Sequence, residues 1–384
     1  MSRLIIRALM LCISDQMDRM LHPASTWPLK RGCTCPAWRF HAPKDCAVRL
    51  ELIGQWWFFL IPKPLEQAQG RLIAPAQSDK HVAILLSTYN GEDFLAEQLD
   101  SLAQQTHTDW TIYASDDGSS DATLNILQSY RERIGINRLY ILKGPQRGFA
   151  ANFLSMLRRK EIQATYFAFC DQDDVWVPER LEAGIRWMQQ LPVERPMLYC
   201  SRTLLIDAQG TPIGTSPLFG KPPCFENALV QSIAGGNTML LNGAARDLLK
   251  QTPLDTQIIS HDWWAYILVS GCGGAVAYNK EPTIHYRQHG KNIIGSNSGL
   301  QDRLLRVRKM LRGTFREWND ANLKAISPFK KHLTQENLKT LELFEQSRQA
   351  NLLTRLRLIH QSGVHRQTLP DTLGLAAAVI LQRL

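Results

Sequence analysis

Between residues 82 and 190 the apolar positions switch repeatedly between two rhythms. Residues 82–87 form a short unbroken apolar run ending in serine, and residues 92–105 then place Phe94, Leu95, Leu99 and Leu102 at helical spacing. That is a strand followed by a helix. The unit recurs three times, with strands at 110–115, 139–143 and 166–170 and helices at 120–134, 149–160 and 178–190. Such alternation predicts an α/β fold built on a doubly wound, mostly parallel sheet with helices on both faces. Sheets of this kind bind ligands beyond the carboxyl ends of their strands. The polar clusters of this chain fall at those ends: Ser87, Thr88, Tyr89 and Asn90; Asp116 and Asp117; Arg147 to Asn152; and Asp171, Asp173 and Asp174.

On either side of this core the rhythm is lost. Residues 1–79 mix Trp, Pro, Cys and Arg without periodicity, and Pro and Gly interrupt each apolar run, so an irregular N-terminal extension is expected, most simply from a start codon assigned too far upstream. Arg7 interrupts a faint signal-peptide-like core at residues 4–13. Cys33 and Cys35 lie too close together for the usual zinc-ligand spacer, although His22, His41 and Cys46 are near in sequence. A domain is expected over residues 80–299, and a helical C-terminal region over residues 300–384.

Charge sharpens this division. The chain carries a formal net charge of +9, yet residues 81–300 hold slightly more Asp and Glu than Lys and Arg, and from Gln301 onward basic residues outnumber acidic ones about two to one. A slightly acidic centre argues against nucleic-acid binding. The C-terminal helices combine Leu352, Leu353, Leu356, Ile359 and the apolar run 373–381 with Arg355, Arg357, His365, Arg366 and Arg383. They read equally as a helical cap on the domain and as a basic membrane-surface element. No apolar run reaches the roughly 18–20 residues that a bilayer-crossing helix requires. The eight cysteines show no repeated spacing, and free thiols in a reducing, cytoplasmic compartment are expected.

The sharpest chemical signal is the segment from Asp171 to Trp176, where three carboxylates crowd into four residues directly after a strand. Their mutual repulsion calls for a cation, and hard oxygen ligands favour Mg2+ or Mn2+ completed by substrate phosphates. An acidic turn capping the following helix is the alternative. Asp116 and Asp117 are either turn formers before Gly118 or acceptors for a nucleobase and ribose. Residues 286–292, with Arg287, His289, Gly290 and Lys291, suit a lid closing over a diphosphate.

Five ordered motifs (Ser87 to Gly91, Asp116 to Asp121, Gly148 to Asn152, Asp171 to Trp176 and Arg287 to Gly290) resemble the family-2 glycosyltransferases, closest to bacterial rhamnosyltransferase-like members. The resemblance spans roughly residues 82–297. It implies a GT-A fold and an inverting transfer of one sugar, rhamnose or similar, from a nucleotide diphosphate sugar. The acceptor would be a saccharide, in the polyprenyl-linked case at the inner face of the plasma membrane, in O-antigen or exopolysaccharide synthesis. Carried over by position, Ser87, Tyr89 and Asp117 would contact the nucleoside, with Thr88, Asn90 and Asp116 beside them. Arg147 would meet the donor, supported by Asn152; Asp173 would ligate the metal, with Asp171 completing the shell or meeting the ribose. Asp262, at the start of an apolar helix, resembles the catalytic base, and its helix N-terminus favours an ionised carboxylate. Gly236 and Asn237 resemble the segment near the acceptor. The Gln-x-x-Arg-Trp motif of processive relatives is absent, which implies addition of a single sugar. A sugar-phosphate nucleotidyltransferase would need a Gly-rich phosphate loop after the first strand, and a non-catalytic saccharide binder would have lost its carboxylates; neither description matches this chain.

Overall fold

The computed structural model describes residues 78–290 and 314–384. The expectations for residues 1–77, the paired thiols among them, lie outside this range, as do Lys291, Asn292 and residues 300–313. The elements run β1 (Val82–Thr88), α1 (Leu95–Ala103), β2 (Trp110–Asp116), α2 (Thr123–Ile134), β3 (Leu139–Lys143), α3 (Phe149–Arg158), β4 (Tyr166–Cys170), β5 (Val175–Trp176) and α4 (Arg180–Met188). They continue as β6 (Met197–Ile206), β7 (Pro212–Thr215), α5 (Phe225–Ala228), β8 (Leu240–Asn242), α6 (Gly243–Leu249), α7 (His261–Gly271) and β9 (Ala275–Arg287). Four helices close the chain: α8 (Thr314–Ile326), α9 (Gln335–Gln349), α10 (Leu352–Ser362) and α11 (Leu369–Ile380).

One sheet has the strand order β3-β2-β1-β4-β8-β6-β9-β5, with β7 attached to β6. Its first half is parallel, as the alternation predicts. Residues 82–86 of β1 are completely buried, because helices cover both faces of a central parallel strand and leave no polar side. Beyond β4 the sheet becomes mixed: β8 runs antiparallel to both β4 and β6, β9 is parallel to β6, and β5 is antiparallel to β9.

Odd and even residues of β1 feed separate cores. Val82, Ile84 and Leu86 pack with Leu95, Leu99 and Leu102 of α1, Leu127 of α2, and Leu181 and Ile185 of α4. Ala83 and Leu85 pack on the other face with Phe153, Met156 and Leu157 of α3 and Trp264, Ile267 and Leu268 of α7. Parallel register aligns Ser87 with Ser115, Thr88 with Asp116, and Leu86 with Cys170, so the polar strand ends share one rim.

The described C-terminal helices extend the α7 face of this core through Ile326, Phe329, Leu341, Phe344 and Val379. Asn337 Nδ2 donates to the carbonyls of Ser270 and Gly271 at 3.1 and 2.9 Å, satisfying acceptors that the end of α7 leaves open. No described helix is long and apolar enough to cross a membrane.

Candidate active site

The rim is organised by side chains that hold its loops. Thr88 Oγ1 donates to Asp116 Oδ1 at 3.1 Å, and Asp116 Oδ2 accepts from the backbone N–H groups of Gly118 and Ser119 at 3.2 and 2.9 Å. Asp116 is therefore the turn former, its oxygens committed to the loop after β2. Asp117 accepts from the N–H groups of Gln146 and Gly148 at 2.6 and 2.9 Å, and so fixes the loop that carries the exposed Arg147. Gln146 and Gly148 both have positive φ, 56° and 84°, and this geometry turns their N–H groups on one carboxylate.

Asn152 stands behind the rim, not in it. Fully buried, it accepts from Ser115 Oγ at 2.6 Å and donates to Ser87 Oγ and to the Ser115 carbonyl, both at 2.8 Å. It ties β1, β2 and α3 together. Tyr89 is 59 % exposed at the end of β1, and its backbone is clamped in both directions by the Gln172 amide, at 2.8 and 3.0 Å. Asn90, with φ of 48°, accepts from the Ser120 N–H at 2.8 Å. The Gln172 clamp explains Gly91, where a Cβ would overlap the Gln172 amide.

The acidic segment splits into three roles. Asp174 is completely buried and accepts from Asn237 Nδ2 at 2.5 Å and from the Arg287 N–H at 3.2 Å, so it shapes the loop. Asp173 is partly exposed and meets His289 Nε2 at 2.8 Å. Asp171 is pushed up to about 8, first by burial and then by the carboxylates of Asp173 and Asp262. The last influence is decisive for placement: Asp262, about ninety residues away in sequence, faces the same site from the N-terminus of α7.

Asp262 departs from expectation in its electrostatics. Burial outweighs the favourable helix terminus and the Ser260 hydrogen bond, and raises its pKa. Its Oδ1 is buried and meets no hydrogen-bond donor among the described residues. A carboxylate whose pKa is raised by burial, with one oxygen left unpaired, is a stronger proton acceptor than a fully capped one.

Three expected contacts are relocated. Arg287 is only 1 % exposed, so it is no lid cation: Nε donates to the Asp173 carbonyl at 3.1 Å, Nη1 to the Ala208 carbonyl at 3.0 Å, and Nη2 pairs with Glu97. It is a strut beneath the acidic loop. Asn237 is likewise buried, with Nδ2 on Asp174 and its carbonyl accepting from Arg180 at 2.6 Å, which leaves little of it for an acceptor sugar. Gly236 packs against the ring of His261, where a Cβ would collide with Nε2.

Arg180, Gln172 and Glu97 were not singled out from the sequence. Arg180 is 2 % exposed, lies 3.5 Å over the Trp176 ring, and is pushed down to about 10 by burial, so it stays cationic behind Asp174 at neutral pH. The sequence signal for it was a basic residue at the first position of α4, which ordinarily marks a solvent-exposed turn.

Two carboxylates at a strand end make a donor set that suits a hard divalent cation. Among the described residues no group of three or more His, Cys, Asp or Glu side chains is arranged as a self-sufficient metal cage. Asp171 and Asp173 would therefore share a cation with substrate oxygens, the usual arrangement for Mg2+ with phosphates.

Residues 83–195 match the profile of Glycosyl transferase family 2. These residues are the part of the chain that carries the family-2 glycosyltransferase signature. The sheet, parallel in its first half and mixed beyond β4, carries helices on both faces. The chain is 26% identical over 238 residues to the dTDP-rhamnosyl transferase RfbG of Shigella flexneri, covering 58% of this chain and 78% of that protein. It is 29% identical over 220 residues to TuaG of Bacillus subtilis, named as a teichuronic acid biosynthesis glycosyltransferase, covering 56% of this chain and 82% of that protein. Among solved structures, S. aureus TarS 1-349 in complex with UDP-GlcNAc is 15% identical with a TM-score of 0.46, covering 79% of this chain and 89% of that one.

Proposed function

We propose that the protein is an inverting, metal-dependent glycosyltransferase that moves a single sugar, rhamnose or similar, from a nucleotide diphosphate donor to a saccharide acceptor in bacterial surface polysaccharide synthesis. The observation that carries this reading is that Asp171, at the end of β4 within the matched residues, feels the charge of both Asp173 and Asp262. The names of the Shigella and Bacillus relatives support the rhamnosyl and cell-surface parts of it. A polyprenyl-linked acceptor at the inner face of the plasma membrane fits the same reading.

Tyr89 and the Ser87 hydroxyl hold the nucleoside over the ends of β1 and β2, and Arg147 meets the donor's phosphates from the loop that Asp117 fixes. Mg2+ or Mn2+ held by Asp171 and Asp173 would supply charge neutralisation for the diphosphate leaving group. Asp262 takes the proton from the acceptor hydroxyl as that oxygen bonds to the anomeric carbon. The bond from that carbon to the diphosphate breaks in the same step, from the opposite side, and the configuration inverts.

Asp262→Asn should keep donor binding while kcat falls by roughly 10²–10⁴-fold, the usual worth of a general base. Asp173→Ala should lose divalent-dependent donor binding itself. A panel of nucleotide diphosphate sugars, read by thermal shift with and without Mn2+, identifies the donor, and the anomeric configuration of the product by NMR tests inversion. Near-normal turnover in Asp262→Asn, or a retained anomer, overturns the mechanism.

A further inference from the structure

The described residues leave fourteen large apolar side chains exposed, and seven of them lie in the last two helices and the residues beside them. On α11, Leu369 (73 % exposed), Leu373 (64 %) and Ile380 (54 %) recur at four- and seven-residue spacing, so they line one outward stripe, and Leu381 just past the helix end is exposed as well. On α10, Leu352, Leu353 (80 %) and Leu356 form a second outward group. The two helices are tied together: buried Arg355 donates from Nη1 to the Val379 carbonyl at 2.9 Å and from Nη2 to the Ala350 carbonyl at 2.7 Å. The outward leucines are thus held on a fixed scaffold whose inner face is already filled by Leu375, Ala378 and Val379.

The charge along these two helices is predominantly positive. From Asn351 to Leu384 the chain has four arginines and a single acid, Asp371, which caps α11 through Thr368. Arg357, His360 and Arg383 are exposed alongside the leucines. A second copy would bring like charges together, whereas an anionic lipid surface attracts cations and accepts the apolar stripe into its headgroup boundary.

We infer that α10 and α11 form a docking face for an anionic membrane surface, with Leu353, Leu369, Leu373 and Ile380 inserted and Arg357 and Arg383 against lipid phosphates. This goes beyond the transfer reaction and stands without it.

Flotation of the full chain with phosphatidylcholine vesicles, with or without one quarter phosphatidylglycerol, tests it. The wild type should float with the anionic vesicles and stay behind with the neutral ones. Leu353→Ser/Leu369→Ser/Leu373→Ser should lower the partition coefficient about tenfold or more, given the apolar area removed. Arg357→Glu/Arg383→Glu should abolish the preference for anionic lipid. All these side chains are exposed, so unchanged circular dichroism and donor binding are expected of both variants. Failure to float, partition that ignores lipid charge, or a self-association in sedimentation that the leucine variant removes would each overturn the proposal.

Discussion

At the scale of single residues, the acidic loop rests on a buried strut and is touched by a partly exposed imidazole, and this separates two kinds of variant. Arg287 is buried, and removing it strands the carbonyls of Asp173 and Ala208 and leaves Glu97 without its partner. Arg287→Met is expected to lower unfolding stability by about 3 kcal/mol, the usual scale for buried charge-assisted bonds, as measured by urea denaturation. His289 touches Asp173 from a partly exposed position, so His289→Ala should change stability by less than about 1 kcal/mol while raising KM for the donor. Equal destabilisation of the two variants would contradict this division. The carboxylates were legible because charge crowding after an apolar run is visible in one dimension. Arg287 was misread, and Arg180 passed over, for a shared reason: a buried cation looks the same in sequence as an exposed one, and only the fold shows which carbonyls surround it.

The legibility of the elements follows their pairing. The first four strands and the helices after them match the apolar rhythm closely, because each βα unit is local and each parallel strand is apolar along its length. The second half resisted because its strands find partners out of order: β8 enters between β4 and β6, and two-residue β5 pairs with the far end of β9. Neither pairing leaves a periodic trace. A tight passage marks this half, where Gly274 lets the turn from α7 into β9 fit between Val269 and Pro196, the residue before β6. A Cβ at Gly274 would lie 2.6 Å from the carbonyl oxygens of both Pro196 and Val269. Backbone atoms cannot swing aside as a side chain can, so Gly274→Ala should cost about 1–3 kcal/mol or more through forced displacement of α7. Asp262 rides on α7, so on the proposed mechanism kcat should fall as well. Unchanged stability in calorimetry would show that the turn has slack the packing does not suggest.

For the molecule as a whole, buried acids and the buried histidine His261 pull the pH response of stability in opposite directions. His261 lies among aromatic rings, stacked on Phe153 at 4.0 Å and edge-on to Phe169 at 4.7 Å, and neither ring nitrogen meets a hydrogen-bond partner among the described residues. Burial pushes it from 6.5 down to about 3, so it remains neutral wherever the protein is folded at ordinary pH. The unfolded chain takes up a proton near 6.5 that the folded chain refuses. This stabilising contribution is complete above that pH and is lost as pH falls toward 3, at about 1.4 kcal/mol per unit, or about 2 kcal/mol by pH 5. Asp171, Asp174 and Asp262 act oppositely, since their raised values make the folded state hold protons longer and lose stability as pH rises. The net profile therefore hides the histidine, but a difference reveals it. Subtracting the urea-unfolding free energies of His261→Leu from those of the wild type between pH 5 and 8 should leave a curve that climbs with pH and flattens above about 7. A flat difference would place the His261 ring in contact with water, and would remove the dry aromatic wall that keeps Asp262 poorly solvated beside it.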